Sequence, residues 1–348
     1  MFRQDRANPN TSVTDWRGNR STAKGWPGTL VSTWMNGGLF GGATPLTAFG
    51  GRIRDFTYSG TNYRSHEFLG TGVFWIAEGS GDVGYVVTAG GGAGGTYGGG
   101  VGGGGGGGGG VRRDGGTLVT VDAAGGPSSD GKYPVTVGLG GMGGGNATPV
   151  STNTEGTDSS ALGFSATGGG YGGNSSSADG GSGGCGGGGL GGHTSYDGGP
   201  GNEGGYSPVE GYPGGPASPS TYVSGAGGGG ATAIGTQAYS TTGGAGGAAY
   251  NSPHLNGQYQ FYGGGGGGGA GASGNMGGGS TSYFGAGIYG RMAGVPYSER
   301  NTPAYYGTPG TGGGSGGGEG PSSTPWSVEA GGAMGGSGAV LIYYEIAA

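Results

Sequence analysis

The chain has 348 residues, 109 of them glycine and 17 proline, and its 13 basic and 19 acidic side chains leave a formal charge of −6. Glycine brings no side chain to a core or a reaction centre and loses more backbone freedom on folding than any other residue, so the chain must either stay disordered or be held together by its backbone. The 35 aromatic residues and the low charged fraction of 9% argue against disorder, while the unbroken glycine run 102–110 excludes the strict every-third-glycine repeat of collagen.

The first 60 residues differ in kind from the rest. Residues 1–64 hold eight basic and three acidic side chains, a balance of +5, and the remainder holds five basic and 16 acidic, a balance of −11. Three of the five tryptophans lie here. Aromatic and arginine side chains are favoured in interface hot spots, so Trp16, Arg17, Arg20, Trp26 and Trp34 read as a docking arm onto a larger assembly. Scattered basic residues in an acidic chain do not make a nucleic-acid site. The residues after Met1 form no apolar signal segment, and no stretch of about 18 apolar residues is present to span a membrane.

Short runs of β-branched and aromatic residues bounded by turn signals predict strands over 74–77, 85–88, 117–121, 133–137 and 339–344. If the first and last of these pair, they close the domain. No stretch reads as an amphipathic helix. Between the strands, the glycine runs predict extended left-handed helices of the polyproline II type, with three residues per turn and a rise of about 3.1 Å. Such a helix has no internal hydrogen bonds, yet buried N–H and C=O groups must be paired. Glycine is slim enough to let neighbouring backbones approach from several sides, so rods should bond to rods.

The expected fold is therefore irregular and β-class: a bundle or sandwich of polyglycine helices flanked by short strands, with essentially no α-helix. Its expected parts are a docking segment over 1–60 and a glycine-rich domain over 61–348. Three insertions interrupt the glycine where a rod must turn: 194–222 with Tyr196, Tyr206, Tyr212 and Tyr222; 250–262 with Tyr250, His254, Tyr259, Phe261 and Tyr262; and 283–306 with Tyr289, Tyr297, Tyr305 and Tyr306. Tyrosine among serine, glycine and asparagine gives rigid amphipathic contact area at low entropic cost. These residues are the candidate binding surface, with capping of the rod ends as the alternative role.

Reaction chemistry is sparse. His66, His193 and His254 are far apart and none has metal-ligand spacing. His193 with Asp197 or Glu203 could be drawn as a dyad, but the plainer reading is a solvated loop histidine. The single Cys185 permits no intramolecular disulfide and reads as a small side chain packed between rods. Polyglycine satisfies G-x-G-x-x-G automatically, and no Lys-Ser or Lys-Thr follows the runs to make a phosphate loop. Neither an enzyme nor a cofactor is expected.

The order His66-Glu67-Phe68, Gly72-Val73-Phe74, then Tyr85 to Gly95, a polyglycine run, the later strands and a closing Gly335 to Tyr344 is similar to the glycine-rich domain common in bacteriophage tail and other virion proteins. The likeness covers roughly residues 60–348, and its architecture resembles the polyglycine-helix adhesins of phage tail fibres. It implies a virion protein made in the host cytoplasm, attached to other virion proteins through its N-terminal segment. On that reading the tyrosine loops bind a bacterial surface glycan or outer-membrane protein without catalysis. The alternative is a structural fibre, decoration or adaptor protein; ice or mineral binding is a third class. A homo-oligomer is left open, and fold alone does not choose among them.

Overall fold

The computed structural model describes residues 46–97, 101–143, 154–192, 196–217, 224–239, 242–269, 306–318 and 333–347. Trp16, Arg17, Arg20, Trp26, Trp34, His193, Tyr222, Tyr289, Tyr297 and Tyr305 lie outside the described residues. Among the described residues there is no helix, and the strands are β1 (Thr47–Phe49), β2 (Arg52–Tyr58), β3 (Thr61–Phe68), β4 (Gly72–Glu78), β5 (Ser80–Thr88), β6 (Val111–Arg113), β7 (Val119–Asp122), β8 (Lys132–Val135), β9 (Ser159–Ala161), β10 (Phe164–Ala166), β11 (Tyr250–Ser252), β12 (Gln260–Tyr262) and β13 (Ala339–Glu345).

All five expected strands form, as β4, β5, β7, β8 and β13, with β7 beginning two residues later and β8 ending two residues earlier than the sequence suggests. The six-stranded sheet runs β2-β3-β13-β5-β6, with β7 pairing the first half of the nine-residue β5. The first expected strand does not pair with the last. Instead β4 joins β1 and β8 in a separate three-stranded sheet, and β13 closes the domain by inserting between β3 and β5. The reason is burial. Strand β13 sends Val340, Ile342 and Tyr344 into one cluster with Phe74, Ile76, Val87 and Val135, and Ala339, Leu341 and Tyr343 into another with Val86, Val111, Leu255 and Tyr262. A strand covered on both faces reads as a continuous apolar run and belongs in the middle of a sheet. Strand β4 alternates buried Phe74 and Ile76 with exposed Val73 and Trp75, as a one-sided strand should. The β2–β3 hairpin straddles residue 60, pairing from Arg52↔Glu67 to Tyr58↔Thr61.

The glycine segments pair with a period of three. In the run 102–110, the amides of Gly103, Gly106 and Gly109 donate to the carbonyls of Gly318, Ser315 and Gly312; those of Gly104, Gly107 and Gly110 donate to Gly173, Gly170 and Thr167; those of Gly105 and Gly108 donate to Ala226 and Gly229. The carbonyls accept in the same rhythm. Gly104, Gly107 and Gly110 receive from Gly95, Gly92 and Ala89; Gly102, Gly105 and Gly108 from Gly191, Gly188 and Cys185; Gly103 and Gly106 from Gly269 and Gly266. One rod thus has six neighbours, three accepting from it and three donating to it. That is the signature of three-residue helices in hexagonal packing, the bundle expected from the glycine runs. The rod is buried throughout.

Sheet and bundle are continuous. Strand β5 runs into the rod 89–96, and rod 102–110 runs into β6, so the Thr88↔Val111 rung is followed by Ala89 donating to Gly110. Between the segments 139–142 and 154–157 hydroxyls join the backbone pairing: Thr154 and Thr157 accept the amides of Met142 and Leu139. At a rod end, the buried Glu210 carboxylate accepts the Thr167 amide at 2.9 Å. Its burial raises its pKa above the usual carboxylate value.

Candidate binding face

The hairpin β11–β12 folds over the outer side of the six-stranded sheet. Its loop is fastened by the Ser65 hydroxyl, which donates to the Leu255 carbonyl at 2.8 Å, and by Tyr262, buried in the cluster around Leu341. This places His254 flat on Tyr343, with ring centroids 3.9 Å apart and planes 6° apart. Tyr63 meets His254 edge-on at 5.6 Å and Tyr343 at 6.2 Å, and stacks on Phe56 at 5.6 Å. Tyr58 meets His254 at 6.0 Å, and its hydroxyl lies 3.2 Å from that of Tyr259, which is 55% exposed. The Tyr343 hydroxyl donates to Asp114 Oδ2 at 2.6 Å.

Beside this group lies an open groove of about 510 Å³, lined by Tyr63, His254 and Tyr343 with Asp82, Glu345 and Leu118 among others. Ligand clefts fall in this size range. Burial raises the pKa of the Tyr63, Tyr343 and Tyr344 phenols, helped at Tyr343 by the hydrogen bond to Asp114 and at Tyr63 by the charge of Glu345. They therefore stay protonated, the Tyr343 proton being donated in its hydrogen bond to Asp114. Burial lowers the pKa of His254, which is neutral at physiological pH. The groove combines ring faces, hydroxyl donors and carboxylate acceptors. Among the described residues no group of three or more His, Cys, Asp or Glu could hold a metal ion.

The other sequence-selected residues are dispersed. Arg112 and Arg113 point to opposite sides of β6, and each lies over a tyrosine ring, Tyr206 at 4.0 Å and Tyr250 at 4.4 Å. These contacts hold the two insertions against the sheet. Tyr262 is interior. Phe261 is half-buried on β12 opposite Asn251. Tyr196 is half-buried, and its carbonyl accepts the Ala217 amide at 2.7 Å. Tyr212 joins the bundle through its backbone, and Tyr306 is exposed. Of the selected residues, His254 and Tyr259 belong to the aromatic group. Tyr58, Tyr63, Tyr343, Asp82 and Glu345 were not singled out by the sequence; the signal available was the alternation of β3 and β13, which puts Tyr63, Tyr343 and Glu345 on one face. Cys185 is fully buried, its sulfur 3.7 Å from the Gly109 carbonyl, and burial raises its thiol pKa. That fits the packed-between-rods role.

His66 is also buried, with Nδ1 2.8 Å from the Gly50 carbonyl, and burial lowers its pKa. A base whose folded pKa is depressed contributes stability that is complete above its unfolded value of 6.5 and is lost as pH falls below it. The carboxyl of Glu210 works in the opposite sense, so His254 is best isolated by difference. The thermal midpoint of the wild type relative to that of His254→Phe should be highest above pH 6.5, and it should fall on acidification below that value. Parallel curves would mean that His254 is not held neutral by its surroundings.

Residues 65–345 match the family described as "Glycine-rich domain", and the chain belongs to that family. No curated protein matches it.

Proposed function

We propose that the chain is a phage virion protein that displays a non-enzymatic host-binding face on a rigid polyglycine slab. The supporting observation is the groove lined by Tyr63, His254 and Tyr343, with the Tyr58–Tyr259 pair packed beside His254. Aromatic rings beside carboxylates and phenolic donors suit the apolar faces and hydroxyls of a bacterial surface saccharide, and the backbone-bonded lattice behind them keeps the face preorganised, which limits the ordering cost of binding. The basic, tryptophan-bearing N-terminal segment is assigned to docking on other virion proteins.

Immunogold labelling of particles, with antibody against residues 61–348, tests the placement: label at a distal tail or fibre end supports it, and label on no particle overturns the virion reading. The binding face has its own test. Replacing Tyr259 by alanine, alone and together with the half-buried Tyr58, should reduce particle adsorption to cells, the pair by about tenfold or more, with the melting midpoint of the single variant changed by no more than about 0.5 kcal/mol equivalent because the Tyr259 ring is exposed. Unchanged adsorption would remove the face from host binding. The reading of a structural or adaptor protein draws on Tyr206, Tyr250 and Tyr262, which hold insertions in place; it predicts particles that fall apart in such variants.

A further inference from the structure

The three-stranded sheet β1-β4-β8 has one apolar face in the core and a second one outside it. Ala48, Phe74, Ile76 and Val135 point inward and are buried. The residues that alternate with them are apolar too, yet Phe49 is 47%, Val73 43% and Trp75 42% exposed. Phe49 pairs with Trp75, and their ring centroids lie 5.6 Å apart. On the other side Val73 pairs with the exposed Pro134 and Trp75 with Lys132, whose charge is held by Asp130 at 2.8 Å. Apolar side chains exposed singly need no explanation, but a contiguous group of them marks a contact surface.

The chain itself supplies a cover within reach. Strand β1 is an edge of this sheet, and the residue before it, Leu46, packs against the same core. The 45 residues that precede Leu46 therefore join the fold at the edge of the exposed face. Nearest to it in sequence are Leu39-Phe40 and, beyond Gly37-Gly38, the apolar residues Leu30, Val31, Trp34 and Met35. The six residues from Leu46 back to Phe40 span at most about 20 Å, whereas three strands at about 4.8 Å spacing are only about 10 Å across. A tethered segment also acts at an effective concentration on the order of millimolar, well ahead of a second copy in dilute solution.

We propose that residues 30–40 of this chain cover the outer face of β1-β4-β8, with Leu39 and Phe40 seated on Phe49, Val73 and Trp75. The inference is independent of the host-binding reading and divides the N-terminal segment in two. Trp34 returns to the fold, and Trp16, Arg17, Arg20 and Trp26 are left to reach other virion proteins.

Hydroxyl-radical footprinting of the full chain, read by mass spectrometry, is the test. Phe49 and Trp75 should oxidise several-fold more slowly in the wild type than in the Leu39→Asp/Phe40→Asp variant. Exposed Tyr239 should oxidise equally in both, and buried Phe74 should stay unreactive in both, which reports that the variant is folded. Equally fast oxidation of Phe49 and Trp75 in the two proteins overturns the proposal, because the face is then uncovered. Slow oxidation in both overturns it as well: protection lost on dilution assigns the face to a second copy, and protection that survives dilution assigns it to another part of the chain. The reciprocal variant Val73→Lys decides the matter should the first not fold. Chymotrypsin should cut it after Trp34 and Phe40 several-fold faster than the wild type, and unchanged cutting overturns the proposal.

Discussion

A Gly106→Ala variant is expected to lose at least about 3 kcal/mol of stability, enough to lower the melting midpoint by several degrees or to prevent accumulation of folded protein. Gly106 lies in the rod with six neighbours. Its amide donates to Ser315 at 2.8 Å and its carbonyl accepts from Gly266 at 2.9 Å. A β-carbon there would collide with the Gly92 carbonyl oxygen and sit 2.9 Å from the Ala93 carbonyl carbon. These are backbone atoms of a rod bonded in its own turn to others, so no side chain can swing away. Relief requires moving a rod, and moving a rod breaks hydrogen bonds on its other sides, each worth about 0.5–1.5 kcal/mol net and more if left buried and unpaired. Gly70→Ala provides the contrast. A β-carbon at Gly70 meets nothing within 4 Å, and the substitution should be neutral or slightly stabilising through the unfolded chain. Equal midpoints for the two variants would contradict the hexagonal packing.

How much of this was legible in the sequence depends on which atoms carry the information. The strands at Phe74, Tyr85, Val119, Tyr133 and Val340 announce themselves through side chains, and the period-three rods follow from glycine's lack of one. Which rod bonds to which does not follow, because a run such as 102–110 looks the same in every register; only the fold fixes Gly106 beside Ser315 rather than a residue on either side. The alanines hold part of the missing information. Ala89, Ala93 and Ala226 are fully buried within rods, at points where the lattice leaves room for a methyl group, but without the lattice they read as dilutions of a glycine run. The candidate face was legible in half. His254 and Tyr259 stood out because they interrupt glycine, whereas Tyr343 lay in a predicted strand whose apolar run explained it already, Glu345 just beyond that run, and Tyr63 in β3, whose polar sequence did not announce a strand. Conversely, Tyr206 and Tyr250 look like free recognition residues until Arg112 and Arg113 are found over their rings.

Ending the chain after Gly338 should abolish cooperative melting altogether. Strand β13 is central to the six-stranded sheet, pairing six residues with β3 and five with β5, and Val340, Leu341 and Ile342 are each no more than 1% exposed. Its loss would uncover both side-chain clusters and leave two long strands with open facing edges, a template for association with other chains. It would also free the rod 333–338 from the closing strand, although Gly91 donates to Gly336 and Gly94 to Ala333 across the bundle. A single Leu341→Ala change should cost about 2–5 kcal/mol, the range for a buried leucine, and should leave a weakened but cooperative transition. The two variants separate the strand's contributions. If truncation and Leu341→Ala melt alike, side-chain packing is the whole of its role. If truncation alone eliminates the transition, as expected, the backbone ladder that joins β13 to β3 and β5 is a condition for the bundle to form, because a rod stabilised only by its neighbours has no partial state worth keeping. A synthetic peptide covering residues 333–347, added to the truncated chain, should then restore protease resistance to the glycine-rich core by entering between β3 and β5, and failure of the peptide to bind would place the closure elsewhere.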